Sequence, residues 1–168
     1  MSEVIIVNGP PGSGKTSVTA ELRLLVRGTV AISGDALRAF APADARMHLG
    51  GGATYRAAGA LTRAYLELGA ARVIFDYVCL RPAHFRYFEE ALPVGLAPKV
   101  FTLWPALATL REREPPEGLQ AADCQREMAL NLAAMGEILE LGEGPRALTP
   151  ALAARFIHER CLAAAPHL

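Results

Sequence analysis

Apolar residues fall into short unbroken runs separated by stretches of helical spacing. Runs of strand length occupy residues 3–8, 29–33, 72–76 and 99–104. A shorter run at 138–141 reads as a fifth strand or as the end of the helix before it. Helical signals fill the gaps. Val18, Leu22, Leu25 and Val26 share a face in 17–26, and 36–40 is a short helical piece. Residues 54–69 run from an N-cap Thr54 to a terminating Gly69. Helices are expected over 82–92, opened by Pro82, over 105–114 and over 121–139. A last one spans 150–164, with Thr149 as cap and Pro150 in its first turn. Residues 42–53 include Gly50, Gly51 and Gly52, carry little pattern and read as a mobile loop. Pro115 to Gly118 reads as a break. Strands alternating with helices predict β-α-β units. The expected fold is α/β: a parallel sheet of about five strands in a three-layer α/β/α arrangement, one domain over 1–168. Ligands of such sheets bind at the carboxyl ends of the strands.

The turn after the first strand is Gly9-Pro10-Pro11-Gly12-Ser13-Gly14-Lys15-Thr16, followed by Ser17. It fits G-x-x-x-x-G-K-[ST] between a strand and a helix, the setting of a phosphate-binding P-loop. Glycines let main-chain N–H groups approach phosphate oxygens closely, and the helix start adds free donors and the positive end of its dipole. Pro10 and Pro11 stiffen the entry. Lys15 is placed to reach the β- and γ-phosphates, and Thr16 to offer its hydroxyl to Mg²⁺. The chain has only two lysines, Lys15 and Lys99.

Two of the four aspartates, Asp35 and Asp76, end predicted strands. A carboxylate at the rim of an apolar sheet needs a partner. Asp35 can orient an acceptor hydroxyl and take its proton, or simply cap the helix at Ala36. Asp76 is a candidate ligand for Mg²⁺ or its waters, or else a turn residue. Arg38, three residues after Asp35, can hold an anionic part of an acceptor or pair with Asp35. Tyr55 and Tyr77 are candidate acceptor contacts. Arg111, Arg113 and Arg126 are candidates for the cation that phosphoryl transfer needs around the migrating group.

The composition narrows the partners. Formal net charge is zero over 168 residues, 52% hydrophobic and 20% charged. That describes a globular chain without the basic excess of a long-nucleic-acid binder. Cys79, Cys124 and Cys161 are far apart and show no metal-ligand spacing, nor do the four histidines. No apolar run is long enough to span a bilayer. The first strand starts almost at once, leaving no room for a signal peptide, and a cytoplasmic protein is expected.

The layout resembles P-loop small kinases, and within them the chloramphenicol phosphotransferase-like group. The resemblance rests on Gly9–Thr16, on Ser33-Gly-Asp-Ala-Leu-Arg38, on the stretch 69–80 and on the stretch 101–113. D-x-x-R after the second strand also looks like polynucleotide 5′-kinases and gluconate kinase-like enzymes. The resemblance implies that Asp35 prepares the acceptor hydroxyl. It implies that an arginine-bearing segment after the fourth strand forms a lid over ATP, and that residues 142–146 contact adenine. This chain departs from the group in having no arginine between Glu114 and Gln125. The resulting expectation is an ATP- and Mg²⁺-dependent phosphotransferase acting on a hydroxyl of a small molecule. A nucleotide or polynucleotide 5′-kinase and an ATP-binding switch protein are the alternatives.

Overall fold

The computed structural model describes residues 2–113, 120–142 and 147–163. In chain order the elements are β1 Glu3–Asn8, α1 Lys15–Leu24, β2 Thr29–Ser33, α2 Gly34–Ala39, α3 Ala43–Leu49 and α4 Ala53–Glu67. There follow β3 Arg72–Asp76, α5 Pro82–Glu89, β4 Lys99–Pro105, α6 Leu107–Glu112 and α7 Ala121–Leu130. A 3-10 turn at Leu132–Ala134 leads into β5 Glu137–Gly142, and α8 Pro150–Ala163 closes the described chain.

All five strands are parallel, in the order β2-β3-β1-β4-β5. β1 lies at the centre and is buried on both faces, which is why its sequence is an unbroken apolar run rather than an alternating one. Val4 and Ile6 face a core shared with Tyr55, Phe75, Phe85 and Phe88, under α4 and α5. Ile5 and Val7 face a second core with Val18, Leu22, Phe101 and Ile157, under α1 and α8. The expected three-layer α/β/α arrangement is the observed one.

The amino edge of the sheet is closed by a cluster of charges. Arg72, 3% exposed, donates to Glu3 Oε2 at 2.7 Å, and its Nη2 lies 3.1 Å from His158 Nδ1. Lys99 Nζ reaches Glu3 Oε1 at 3.0 Å and donates to the Cys161 carbonyl at 2.9 Å. β1, β3, β4 and α8 are thereby tied together at one end.

Two elements depart from the sequence reading, and α4 starts at the cap Gly52, with the expected cap Thr54 inside its first turn. Residues 42–53, read as a loop, contain the helix α3. It buries none of its residues, so apolar periodicity could not reveal it. Its support is local: Asp44 in the first turn and Arg46 and His48 in the last complement the helix dipole. Arg46 Nη1 also donates to the Ala41 carbonyl at 2.6 Å. The helix expected over 121–139 stops at Leu130, and the fifth strand is real. Gly136 explains the break. Its φ is +69°, and a Cβ there would stand 2.2 Å from the Val100 carbonyl oxygen. The chain must leave the helix to pass that close to β4. The predicted break at Pro115 to Gly118 lies outside the described residues.

Candidate active site

β1 delivers the chain into the loop Gly9–Thr16, and α1 carries it away. Gly14 caps the helix at φ 89°, in the left-handed region that suits glycine, and no side chain caps that terminus. The donors of the first helical turn are left to whatever binds in the loop. The Ser13 amide donates to the Pro10 carbonyl at 3.2 Å, closing the turn. Lys15 Nζ donates to the carbonyls of Gly9 and Pro10, both at 2.9 Å. Burial pushes its ammonium below the ordinary lysine value, while the charges of Asp76 and Asp35 pull it back. Thr16 and Ser17 lie exposed in the first turn of α1.

The two strand-end aspartates stand beside this loop. Asp76 pairs in register with Val7 on one side and Ser33 on the other. It is 6% exposed. Burial holds its carboxyl above the usual aspartate value, against the opposing pull of Lys15. Asp35 lies exposed in the first turn of α2. The cap of that helix is Ser33, whose Oγ accepts from the Ala36 amide at 3.4 Å. Asp35 is therefore free of the capping duty that competed with a chemical one.

Around Asp35 lie the other candidate acceptor residues. The Arg38 guanidinium stands beside the Tyr77 hydroxyl and opposes the rise that burial imposes on that phenol. Tyr77 itself is 7% exposed, its ring pressed on Gly34. Tyr55 donates its hydroxyl to the Val78 carbonyl at 2.8 Å, and burial pushes its phenol far up. The Tyr55 ring stacks on His84 at 4.4 Å and tilts against Tyr77 at 5.5 Å. His84 Nδ1 accepts from the Leu80 amide at 3.1 Å, so the ring proton sits on Nε2. Burial lowers the His84 pKa.

On the other side of the loop, a cavity of about 570 Å³ opens toward the ends of β4 and β5. Its walls include Ser13, Ser17, Thr109, Arg113, Gly142 and Leu148. That volume is in the range of small-ligand pockets, on the order of 300–1,000 Å³. Arg113 Nη1 is 3.4 Å from the Gly12 carbonyl, which puts the guanidinium at the loop mouth. Arg111 is exposed on α6. Arg126 pairs with Asp123 at 2.9 Å on the exposed side of α7. Of the three candidate arginines, Arg113 is the one the described contacts bring to the loop. Gly142 lines the cavity, whereas residues 143–146 of the expected adenine segment lie outside the described residues. Thr109 and Leu148 were not anticipated. The placement rule for parallel sheets would have pointed to them, since they follow β4 and β5.

Among the described residues no three His, Cys, Asp or Glu side chains cluster as a ready metal cage. Mg²⁺ does not need one. It favours one or two carboxylate or hydroxyl oxygens and completes its shell with water and phosphate. The Thr16 hydroxyl and the buried Asp76 carboxyl, whose ionised form is desolvated, are a donor set of that kind.

Loop and sheet together define a P-loop protein with a kinase-like fold. Residues 4–127 match the family described as AAA domain (AAA_33), and the chain belongs to that family. A comparison with curated protein sequences gives no match. Among solved structures, the chain is similar to the tunicamycin resistance protein of Deinococcus radiodurans, with TM-score 0.70, 22% identity and 96% of each chain covered. A sugar kinase from Janibacter sp. aligns with TM-score 0.64 and 15% identity, over 99% of this chain and 100% of that one. Shikimate kinase from Acinetobacter baumannii, solved with shikimate, aligns with TM-score 0.63 and 17% identity, over 97% and 94%. At these identities the likeness concerns the fold.

Proposed function

We propose that this protein is an ATP- and Mg²⁺-dependent phosphotransferase that moves the γ-phosphate to an alcohol hydroxyl of a small molecule. One observation carries the reading: Lys15 sits within the electrostatic reach of two strand-end carboxylates, Asp76 and Asp35, neither of which neutralises it by an ion pair among the described residues. The cavity beside Arg113 suits the nucleoside part of ATP. Lys15 would exchange the carbonyls of Gly9 and Pro10 for phosphate oxygens. Thr16 and Asp76 would hold Mg²⁺, which when bound supplies charge neutralisation at the β- and γ-oxygens.

Asp35 would orient the acceptor hydroxyl. As the acceptor oxygen bonds to phosphorus and the bond to ADP breaks, the hydroxyl proton passes to the Asp35 carboxylate. Arg113 would meet the charge on the migrating group. Arg38, with Tyr55 and Tyr77 behind it, would shape the acceptor side. The acceptor classes that fit are antibiotic-, nucleoside- or metabolite-like alcohols. Near-zero net charge weighs against a long nucleic acid.

The test is a thermal-shift screen of hydroxyl-bearing metabolites and antibiotics with an ATP analogue and Mg²⁺ present, followed by product analysis with ATP. A phosphorylated acceptor is expected. Release of phosphate and ADP alone, across all compounds that bind, would move the protein to the switch class.

A further inference from the structure

Residues 77–80 follow β3 but belong to no helix or strand. Five main-chain groups of residues 78–80 are nevertheless paired with side chains, and these come from four other parts of the fold. The Cys79 amide donates to Asn8 Oδ1 at 2.7 Å, and Asn8 Nδ2 donates back to the Cys79 carbonyl at 3.1 Å. The Val78 carbonyl accepts from Tyr55, the Leu80 amide donates to His84, and the Leu80 carbonyl accepts from Asn131 Nδ2 at 3.3 Å.

Asn8 stands apart in this set. It is the last residue of β1, fully buried, and the next residue is Gly9, whose carbonyl holds Lys15. The β1–β3 ladder runs to Val7 and Asp76, and the Tyr77 amide still reaches the Val7 carbonyl at 3.3 Å. Beyond that point β1 turns into the phosphate loop and can offer no further main-chain rung. The Asn8 carboxamide has the same donor and acceptor as a peptide group. It makes two bonds to Cys79, as a strand residue would. Its Nδ2 also donates to Thr102 Oγ1 at 3.0 Å, which braces it against β4.

We infer that Asn8 is a positioning residue: its carboxamide replaces the rung that β1 gives up, and so locks residues 77–80 to the phosphate loop. That stretch begins with Tyr77, which packs on Gly34 beside Asp35 and touches Arg38. The acceptor side of the site is thus fixed in height against the loop that carries Lys15. The inference rests on the phosphotransferase reading for its meaning, but the link itself is tested without any acceptor.

In the wild-type protein the Cys79 amide should exchange with solvent as slowly as the amides of β3, although it lies outside the strand. Rapid exchange at Cys79 overturns the inference with no variant needed. Adding an ATP analogue with Mg²⁺ should shift the amide signals of residues 77–80 in wild type. The Asn8→Ala protein should bind the analogue within about threefold of wild type, yet lose that shift and the Cys79 protection. Thr102→Val, which cuts the brace but leaves the Cys79 pair, should lower stability and keep both. Transmission intact in Asn8→Ala, or lost equally in Thr102→Val, overturns the inference. If Asn8→Ala does not fold, Asn8→Ser replaces it with the same expectation, because its shorter side chain cannot make both bonds. An analogue that fails to bind wild type counts against the proposed function, while Cys79 exchange still decides whether the rung exists.

Discussion

The two lysines of this chain stand at opposite edges of one sheet, and they are held in opposite ways. At the amino edge, Lys99 meets Glu3 at 3.0 Å, and Arg72 takes the other Glu3 oxygen at 2.7 Å. Burial alone would raise the Glu3 carboxyl, but Lys99, the Cys161 thiol and Arg72 outweigh it and hold the pKa below its ordinary value. At the carboxyl edge, Lys15 meets only main-chain carbonyls, and Asp76 stays above its ordinary value because burial outweighs Lys15. The ingredients are alike: a lysine, a carboxyl partly or wholly withdrawn from water and an arginine nearby. The difference is saturation. A charge whose partners are all within the chain supports the fold. A charge kept desolvated and unpaired costs stability, and its partner is to be sought outside the chain.

The lysines give the widest separation. Lys15→Ala should lower ATP turnover by at least ~10²–10³-fold, the range for losing one transition-state donor, with the melting temperature nearly unchanged. Lys99→Ala should keep turnover and lower Tm by about 2–4 °C, the shift that ~1 kcal/mol gives in a chain of this size. Turnover and melting curves on the two purified variants check this. The contrast collapses if both lose activity.

Next comes Asp35→Asn. With Ser33 supplying the cap, the substitution should leave Tm and ATP affinity as they are and reduce transfer to an acceptor by ~10²-fold or more. Both quantities are to be measured on one preparation, and full transfer would remove Asp35 from the chemistry. Arg113→Ala should cost at least ~10²-fold in kcat, the lower range for a transition-state donor. Arg111→Ala and Arg126→Ala should behave as surface changes. An effect on Arg126 alone would place the lid cation on α7 instead.

The smallest effects carry opposite signs. Glu3 has a lowered folded pKa, so its ionised form stabilises the fold. That contribution is present above about 4.5 and is lost as pH falls through the lowered folded value. Asp76 has a raised folded pKa, so stability falls as pH rises from 3.8 through the folded value, and the cost persists above it. At pH 7, Glu3→Gln should lower Tm and ligand-free Asp76→Asn should raise it. Both differences should vanish in acid. Melting curves against pH that move in the same direction for both variants would refute the contrast.

Much of the carboxyl edge was legible in the sequence because main-chain recognition leaves a local mark. Gly9, Gly14 and Lys15 sit within one turn of chain, and Asp35 and Asp76 end apolar runs. The amino-edge cluster was invisible, since Glu3, Arg72, Lys99 and His158 meet only when the sheet is assembled. Asn8 was invisible for the same reason: its partner Cys79 is 71 positions away, and a single asparagine at a strand end carries no pattern. The fold was readable wherever burial imposed a period. It was misread at α3, which buries nothing, and at the end of α7, where one close approach at Gly136 overrides helical spacing.

The exposed helix α3 bears on how such a protein changes over generations. Most substitutions in a chain are removed because they loosen packing, and a segment that buries none of its residues largely escapes that filter. Phe40, Met47 and Leu49 stand in solvent just beyond Arg38, and new side chains there can be tried while the sheet keeps its full stability. The central loop has no such freedom. Variation in this fold is therefore directed toward the rim beyond α2, where it changes the surface before it endangers whether the protein folds.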